Sequence, residues 1–182
     1  MTEVIDESDQ LCRILGKSLQ TLRATSEPPG SGFRKSEITD SRLQIPDSVF
    51  GFLALDHLAI AVPSTEEALK IWRDKLGFPV ICSEVVNGGV VRLTHLDLGN
   101  THLQLVEPLT PDHPLQTWLA KNGPGLHHFC LKVDNVGTSH AELVAAGLAT
   151  IDPPPHQGTQ GKRALFLAKP ATQGVQMEIT GA

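Results

Sequence analysis

Cysteine is scarce in this chain, and its few occurrences are scattered. The 182 residues contain three cysteines, at Cys12, Cys82 and Cys130. An odd number at such distant positions argues against a disulfide framework, and no two lie at the close spacing of a zinc knuckle. The sequence therefore predicts reduced thiols.

Long apolar runs and basic clusters are absent as well. No run approaches the ~18 apolar residues that a membrane-spanning helix needs. The acidic start MTEVIDESD has neither the basic segment of a secretory signal nor the Arg-rich composition of a mitochondrial transit peptide. We therefore predict a cytoplasmic protein with no membrane partner. The formal net charge of -5 and the lack of Lys and Arg clusters predict no nucleic-acid partner.

The first fifty residues differ in composition from the rest. Ser8 precedes a stretch in which apolar residues recur at helical spacing, so residues 9–24 are predicted to form one amphipathic helix. The segment SEPPGSGFRKSEITDS that follows is rich in Pro, Gly and Ser, which is typical of a flexible linker. We predict a helix and linker over residues 1–50 and one globular domain over 51–182.

From residue 52 onward, the chain shows a strand, a helix and three strands, and then the same series again. Residues 64–75 and 135–146 have the caps and apolar spacing of helices, and a glycine follows each. Alternating runs follow the first helix at PVICSEVV, GGVVRLTHLDLG and THLQLVEPL. Those that follow the second are ATIDPPP, KRALFLAKP and VQMEITG. This order predicts an α+β fold of two paired modules, over about residues 52–110 and 122–182.

The two modules also repeat their polar residues. LDHLAIAVP aligns with LHHFCLKVD, so that His57 corresponds to His128, and THLQLVEP aligns with VQMEITGA, so that Gln104 corresponds to Glu178. If two βαβββ units curve into one mixed sheet around a cleft, these four side chains point to one place. Two imidazoles, an amide oxygen and a carboxylate suit a divalent transition metal with one or two positions left for water or substrate.

The sequence resembles the vicinal oxygen chelate superfamily and, within it, the methylmalonyl-CoA epimerase family. The matching pieces are LDHLAIAV, GNTHLQLVEPL, WLAKNGPGLHHFCLKVDN, GTQGKRALF and GVQMEIT, which span about residues 54–181. The resemblance implies a metal-dependent epimerase that removes and returns the α-proton of an acyl-CoA through a metal-stabilised enolate. It implies metal ligands at His57, Gln104, His128 and Glu178, with Glu178 also acting as one base. The metal, Co, Ni, Mn, Zn or Fe, is left open, and a homodimer is possible.

The second base is where the chain departs from the family pattern. Alignment of GGVVRLTH places Arg92 where bacterial members commonly carry a glutamate. An arginine cannot accept a proton near neutral pH, although it would suit a substrate carboxylate or an enolate. Glu84 and His95 are possible substitutes. Lys162 and Arg163, beside a glycine-rich turn, are predicted contacts for the phosphates of CoA.

The remaining histidines do not share the repeat register and are predicted to be surface or structural: His102, His113, His127, His140 and His156. His127 in particular is expected to point away from His128 along the strand. Trp72 and Trp118 are predicted core residues. Three other functions fit the ligand set: an Fe(II) dioxygenase using two histidines and one carboxylate, a glyoxalase-like isomerase, and a binding protein that has lost one base.

Overall fold

The computed structural model describes residues 49–151 and 155–182. The helix predicted over 9–24, the linker after it and Cys12 lie outside the described residues. Within the described ranges, no helix has both the length and the apolar character needed to cross a bilayer.

Eight strands and three α-helices make up the described chain. The strands are β1 (Phe52–Ala61), β2 (Val80–Val86), β3 (Val91–Asp97), β4 (His102–Pro108), β5 (Gly125–Val133), β6 (His156–Gln157), β7 (Arg163–Phe166) and β8 (Met177–Gly181). The helices are α1 (Thr65–Trp72), α2 (Pro114–Asn122) and α3 (Val136–Ala145). We call β1 to β4 with α1 module 1, and β5 to β8 with α3 module 2.

The two predicted helices are confirmed, with shorter bounds than the sequence suggested. Ser64 caps α1 by accepting a hydrogen bond from the backbone N–H of Glu67, and Asn135 caps α3 by accepting one from Thr138. Each cap satisfies a backbone donor that the first helical turn leaves free. The helices therefore begin where the sequence placed them.

All eight strands form one mixed sheet in the order β2-β3-β4-β1-β5-β8-β7-β6. β1 pairs with β4 in parallel, β5 pairs with β8 in parallel, and β1 pairs with β5 antiparallel, which joins the two modules. The predicted α+β fold of two βαβββ modules is thus confirmed. The two modules are related about the β1–β5 pair, which places the first and last strands of both at the centre of the sheet.

Each strand of the central four divides its side chains between a packed face and a cavity face. On the packed face of module 1, Val62, Leu96 and Leu105 are buried with Leu69 of α1. The corresponding cluster in module 2 contains Leu165, Ile179 and Leu143 of α3. Because side chains alternate along a strand, the intervening residues of β1, β4, β5 and β8 face the cavity.

One predicted strand is wrong. The run from Ala149 to Pro155 was expected to pair, but in its described part only Thr150 does so, through an isolated bridge to Leu167. The strand of this region is His156–Gln157, which follows the prolines. A proline has no N–H to donate to a neighbouring strand, so the ladder begins where the prolines end.

The two edges of the sheet approach each other along a seam that encloses the cavity. The side chain of Asn87, at the end of β2, accepts a hydrogen bond from the backbone N–H of Gln157 at 3.1 Å. The carboxylate of Glu84 on β2 accepts a hydrogen bond from the backbone N–H of Gln160. The backbone nitrogen lies 3.1 and 3.2 Å from the two carboxylate oxygens. Asn87 and Gln160 both adopt positive φ, 53° and 56°, a conformation that is uncommon outside glycine. The seam joins β2 of module 1 to the turn before β7 of module 2.

Candidate functional site

A cavity of about 540 Å³ lies on the concave face of the sheet. Its walls include apolar side chains from both modules, among them Leu93, Val106, Ala164 and Phe166. Polar groups from the four central strands converge at its base. A mostly apolar cavity with a few convergent polar groups is the usual form of a small-molecule site.

The structure brings together the four residues that the repeat singled out. His57 lies on β1, Gln104 on β4, His128 on β5 and Glu178 on β8, and all four are buried and line the cavity. The parallel registers explain the meeting, because they place Gln104 beside Ala59 and Glu178 beside Cys130. Each ligand position is thus set by a strand pairing at the centre of the sheet.

Two imidazole nitrogens point at a single carboxylate oxygen. The Nε2 of His57 lies 3.3 Å from Oε2 of Glu178, and the Nε2 of His128 lies 3.4 Å from the same oxygen. Among the described residues, 49–151 and 155–182, no group forms a hydrogen bond of acceptable geometry with either Nε2 atom. A buried nitrogen without a partner is costly, and two that converge on one carboxylate have the arrangement of metal ligands. The donor set therefore fits a divalent cation.

The charges of these groups are strongly coupled. Burial alone would raise the pKa of Glu178, but the imidazoles of His128, His156 and His57 outweigh burial and hold the pKa well below its usual range. Burial would likewise lower the pKa of His57, yet the carboxylates of Asp56 and Glu178 raise it. Glu178 is therefore ionised at neutral pH and available as a ligand or base.

Cys130 also reaches the centre of the site. One ligand atom each from His57, Cys130 and Glu178 lies within 4.8 Å of the others. Burial, with the nearby carboxylate of Glu178, raises the pKa of this thiol well above its ordinary value. A thiol binds metals as the thiolate, so a neutral Cys130 is a weak ligand beside the two imidazoles.

His57 is held from behind by a carboxylate. Its Nδ1 donates to Oδ1 of Asp56 at 2.8 Å, and Lys162 donates to the other oxygen of Asp56 at 3.1 Å. Burial would raise the pKa of Asp56, but His57 and Lys162 lower it well below its usual range. A carboxylate at Nδ1 fixes the tautomer that leaves the Nε2 lone pair facing the cavity and makes that nitrogen a stronger ligand.

His128 has a comparable outer partner in its neighbour. The Nδ1 atoms of His127 and His128 lie 2.8 Å apart, so one donates to the other. Burial, together with the charge of His128, lowers the pKa of His127 to about 4, which keeps that ring neutral. The prediction that His127 points away from the site is wrong. Trp118, predicted as a core residue, lines the cavity and packs edge-on against His127, with 5.1 Å between the ring centroids.

Two irregularities in the β1–β5 pairing explain how neighbouring residues share one face. The register shifts between Leu55 and His57 and again between Ala59 and Ile60. The first shift gives Asp56 no partner on β5, and the second gives His127 none on β1. A bulge of this kind re-aims a side chain that strict alternation would send to the other face. Asp56 and His127 both line the cavity as a result.

Gln104 and Glu178 are each approached by a histidine. The amide nitrogen of Gln104 lies 2.9 Å from Nε2 of His95, which is also 3.1 Å from the hydroxyl of Thr159. Nε2 of His156 lies 3.3 Å from Oε1 of Glu178, the carboxylate oxygen that does not face His57. His156, predicted to be surface or structural, thus lines the cavity and contacts one of the four candidate ligands.

Arg92, predicted as a catalytic residue, does not line the cavity. Its guanidinium pairs with Glu107 at 3.3 Å, and its side chain is 34% exposed. Strand alternation explains this, because the cavity-lining residues of β3, Val91 and Leu93, flank Arg92 on the opposite face. In this structure Arg92 therefore does not face the candidate ligands.

The two predicted CoA contacts, Lys162 and Arg163, lie in different surroundings. Lys162 lines the cavity and pairs with Asp56, as described above. Arg163 is exposed, and its guanidinium donates to the backbone carbonyl of Pro155 at 3.3 Å. Of the two, Arg163 has the more accessible charge.

Sequence reasoning missed Asp56, His127, His156 and Thr159. Asp56 and His127 had a local signal, since each directly precedes a repeated histidine and is itself able to form hydrogen bonds. No such signal existed for His156 and Thr159, which reach the site through the long-range pairing of the second module.

Comparison with known proteins agrees with this geometry. The family described as the Glyoxalase/Bleomycin resistance protein/Dioxygenase superfamily matches residues 56–166. The mitochondrial methylmalonyl-CoA epimerase of Mus musculus is 34% identical over 154 residues, covering 82% of this chain and 84% of the mouse protein. The ethylmalonyl-CoA/methylmalonyl-CoA epimerase of Cereibacter sphaeroides is 32% identical over 127 residues, covering 69% and 95%.

A solved structure is similar in three dimensions. A variant of the methylmalonyl-CoA epimerase of Streptomyces coelicolor, in complex with 2-nitronate-propionyl-CoA, matches with a TM-score of 0.66 and 31% identity. The match covers 72% of this chain and 95% of that one. The chain belongs to the Glyoxalase/Bleomycin resistance protein/Dioxygenase superfamily and, within it, to the methylmalonyl-CoA epimerase family.

Proposed function

We propose that this protein is an epimerase that interconverts (R)- and (S)-2-methylmalonyl-CoA, or a similar acyl-CoA, by removing and returning the α-proton. The observation that carries the proposal is the convergence of His57 and His128 on one oxygen of Glu178 inside a mostly apolar cavity. The activity named for the mouse, Cereibacter and Streptomyces relatives supports it.

His57, Gln104, His128 and Glu178 would hold a divalent cation, which we expect to be Co, Ni, Mn, Zn or Fe. When bound, such a cation supplies positive charge that stabilises the negative charge developing on the thioester oxygen. The pairing of Asp56 with His57 and of His127 with His128 keeps the lone pair of each Nε2 directed into the cavity.

Glu178 is the proposed base for one face of the substrate. Its Oε2 faces the two ligand imidazoles, whereas its Oε1 faces His156. We assign the proton transfer to Oε1, because that oxygen is directed away from the ligand nitrogens. The carboxylate is buried, and a site of low polarity strengthens the attraction between it and the acidic α-proton.

The opposite face needs a second proton carrier, and we assign it to Glu84 rather than to Arg92. Glu84 pairs across the strands with Leu93, a cavity-lining residue, so it lies on the cavity side of β2. The other substitute, His95, has its Nε2 directed at Gln104 and Thr159. Glu84→Gln separates the two roles: proton exchange from one epimer should continue while interconversion slows.

Lys162 and Arg163 stay proposed contacts for the CoA phosphates, with Arg163 the stronger of the two because it is exposed. Arg163→Ala should raise KM with little change in kcat. A cytoplasmic location and a homodimer also stay predictions, which cell fractionation and sedimentation velocity test.

Proton NMR of single-epimer methylmalonyl-CoA in D2O tests the proposal, with protein reconstituted separately with Co, Ni, Mn, Zn and Fe(II). We expect loss of the α-proton signal together with appearance of the other epimer, and abolition of both by Glu178→Gln. Folded, metal-loaded protein that binds the thioester without exchange would contradict the proposal. Oxygen consumption with Fe(II) would favour the dioxygenase alternative instead.

A further inference from the structure

His95 occupies a position where the two modules differ. It pairs directly across the antiparallel β3–β4 ladder from Gln104, and the corresponding position in module 2, across from Glu178, is Phe166. The same backbone geometry therefore places a hydrogen-bonding ring behind one ligand and an apolar ring beside the other.

Glu178 meets a histidine from another strand, His156, but the chemistry of the two side chains explains why only Gln104 needs a partner that fixes its orientation. The two oxygens of a carboxylate are equivalent, so Glu178 offers a ligand atom whichever way it turns. An amide has one ligating end and one non-ligating end, and a half-turn would direct its NH₂ group at the cation. Gln104 must therefore be held in one of two orientations of nearly identical shape.

His95 has the contacts to do this. It is buried, and its Nε2 can accept a hydrogen bond when the ring proton lies on Nδ1. The amide nitrogen of Gln104 is 2.9 Å from that atom. With the amide NH₂ donating to His95, the amide oxygen of Gln104 is left for the cavity.

Thr159 connects this contact to the seam. Its buried hydroxyl lies 3.1 Å from the same Nε2, on the turn whose next residue, Gln160, is held by Glu84. The ring of His95 in module 1 is thereby fixed by a residue of module 2.

From these contacts we infer that His95 is a positioning residue: fixed by Thr159, it orients the amide of Gln104 so that its oxygen completes the metal-binding set. The inference rests on the proposed metal site, but not on the proposed reaction. It also assigns a role to the seam, because closing the two edges of the sheet is what places Thr159 against His95.

Metal binding without substrate tests the inference. Apo protein is titrated with Co(II), and the dissociation constant is measured by calorimetry together with the visible d–d absorption, which reports the ligand set. We expect His95→Ala to weaken Co(II) binding about 10- to 100-fold and to alter the spectrum, as loss of an outer partner to a ligand typically does. Thr159→Val should weaken binding in the same direction by less.

Two controls separate positioning from general damage. His140 pairs with Thr150 at 3.1 Å outside the cavity, so His140→Ala and Thr150→Val remove a matched His–Thr contact and should leave the Co(II) constant unchanged. His95→Gln keeps a hydrogen-bond acceptor and should recover part of the lost affinity. Thermal unfolding of each apo variant verifies that it is folded.

A double-mutant cycle decides the outcome. If His95 acts through Gln104, the His95→Ala/Gln104→Ala double variant binds Co(II) no more weakly than Gln104→Ala alone. Additive losses, or a His95→Ala constant equal to that of the wild type, would overturn the inference while leaving the proposed function intact. Wild-type protein that binds no divalent cation would overturn both.

Discussion

The two modules share a backbone plan but differ in the side chains that support their ligands. In module 1, His57 is backed by a carboxylate, Asp56, whereas in module 2 the equivalent His128 is backed by a neutral imidazole, His127. The last strand supplies an amide, Gln104, in one module and a carboxylate, Glu178, in the other. Duplication thus fixes where the proposed ligands lie, and local substitution decides what each can do.

This difference places the one proposed base among the four candidate ligands in module 2. Gln104 cannot accept a proton near neutral pH, whereas Glu178 is ionised and has one oxygen directed away from the ligand nitrogens. Module 1 instead carries the ionised Asp56, which supports His57 and is itself paired with Lys162 of module 2.

The largest effect on the rate of α-proton exchange is therefore expected from removing the one base among the four proposed ligands. Glu178→Gln gives module 2 the amide that module 1 already has, and we expect the rate of α-proton exchange to fall by about 10²- to 10⁴-fold or more, the usual contribution of a general base. Proton NMR in D2O measures it. Gln104→Glu is the reciprocal control and should retain exchange; equal losses in both variants would contradict the assignment of the base.

The outer partners of the two histidines, Asp56 and His127, should contribute unequally to metal affinity. Asp56→Asn removes the charge behind His57, and we expect Co(II) affinity to fall about 10- to 100-fold in calorimetry. His127→Ala should cost less, because a neutral ring fixes the tautomer of His128 without adding negative charge. A greater loss for His127→Ala than for Asp56→Asn would show that orientation outweighs charge.

Asp56 also gives module 1 a dependence of stability on pH. Although burial opposes it, His57 and Lys162 hold the folded-state pKa of Asp56 below the unfolded value, so its stabilising effect is complete above about pH 4 and is lost as the pH falls below that value. In urea unfolding of apo protein from pH 7 to pH 3, the difference in unfolding free energy between wild type and Asp56→Asn should stay constant down to about pH 4 and narrow, without closing, below it. A difference in unfolding free energy between the two proteins that stays constant down to pH 3 would contradict the lowered pKa of Asp56.

The smallest effect is expected at Arg92. It forms a partly exposed ion pair with Glu107 outside the cavity, a class of contact worth about 0–1 kcal/mol. Arg92→Ala should leave α-proton exchange nearly unchanged and lower the free energy of unfolding by no more than that amount. Loss of α-proton exchange in a folded Arg92→Ala variant would contradict this and show that Arg92 acts in the reaction.

The sequence predicted the parts of the site that depend on repetition. Aligning the two halves identified His57, Gln104, His128 and Glu178, because parallel pairing of the first and last strand of each module preserves their register. The order of strands and helices followed from the same repeat.

What the sequence could not predict depends on departures from regular strands. Strict alternation sends Asp56 and His127 to the packed face, and only the shifts in the β1–β5 pairing reverse this. Alternation also separates Arg92 from the cavity once the register of β3 is known, but an alignment uncertain by one residue reverses the face. Thr159 reaches His95 only because the edges of the sheet meet, which no local pattern reports.

The central claim is that both modules contribute ligands to one cation, and anomalous diffraction from crystals grown with Co(II) tests it most directly. We expect a single strong peak in the cavity, within about 2.0–2.2 Å of Nε2 of His57, Nε2 of His128 and a carboxylate oxygen of Glu178, with the amide oxygen of Gln104 facing it. A peak bound by one module alone, or a cavity without a peak in protein that binds Co(II) in solution, would contradict the claim.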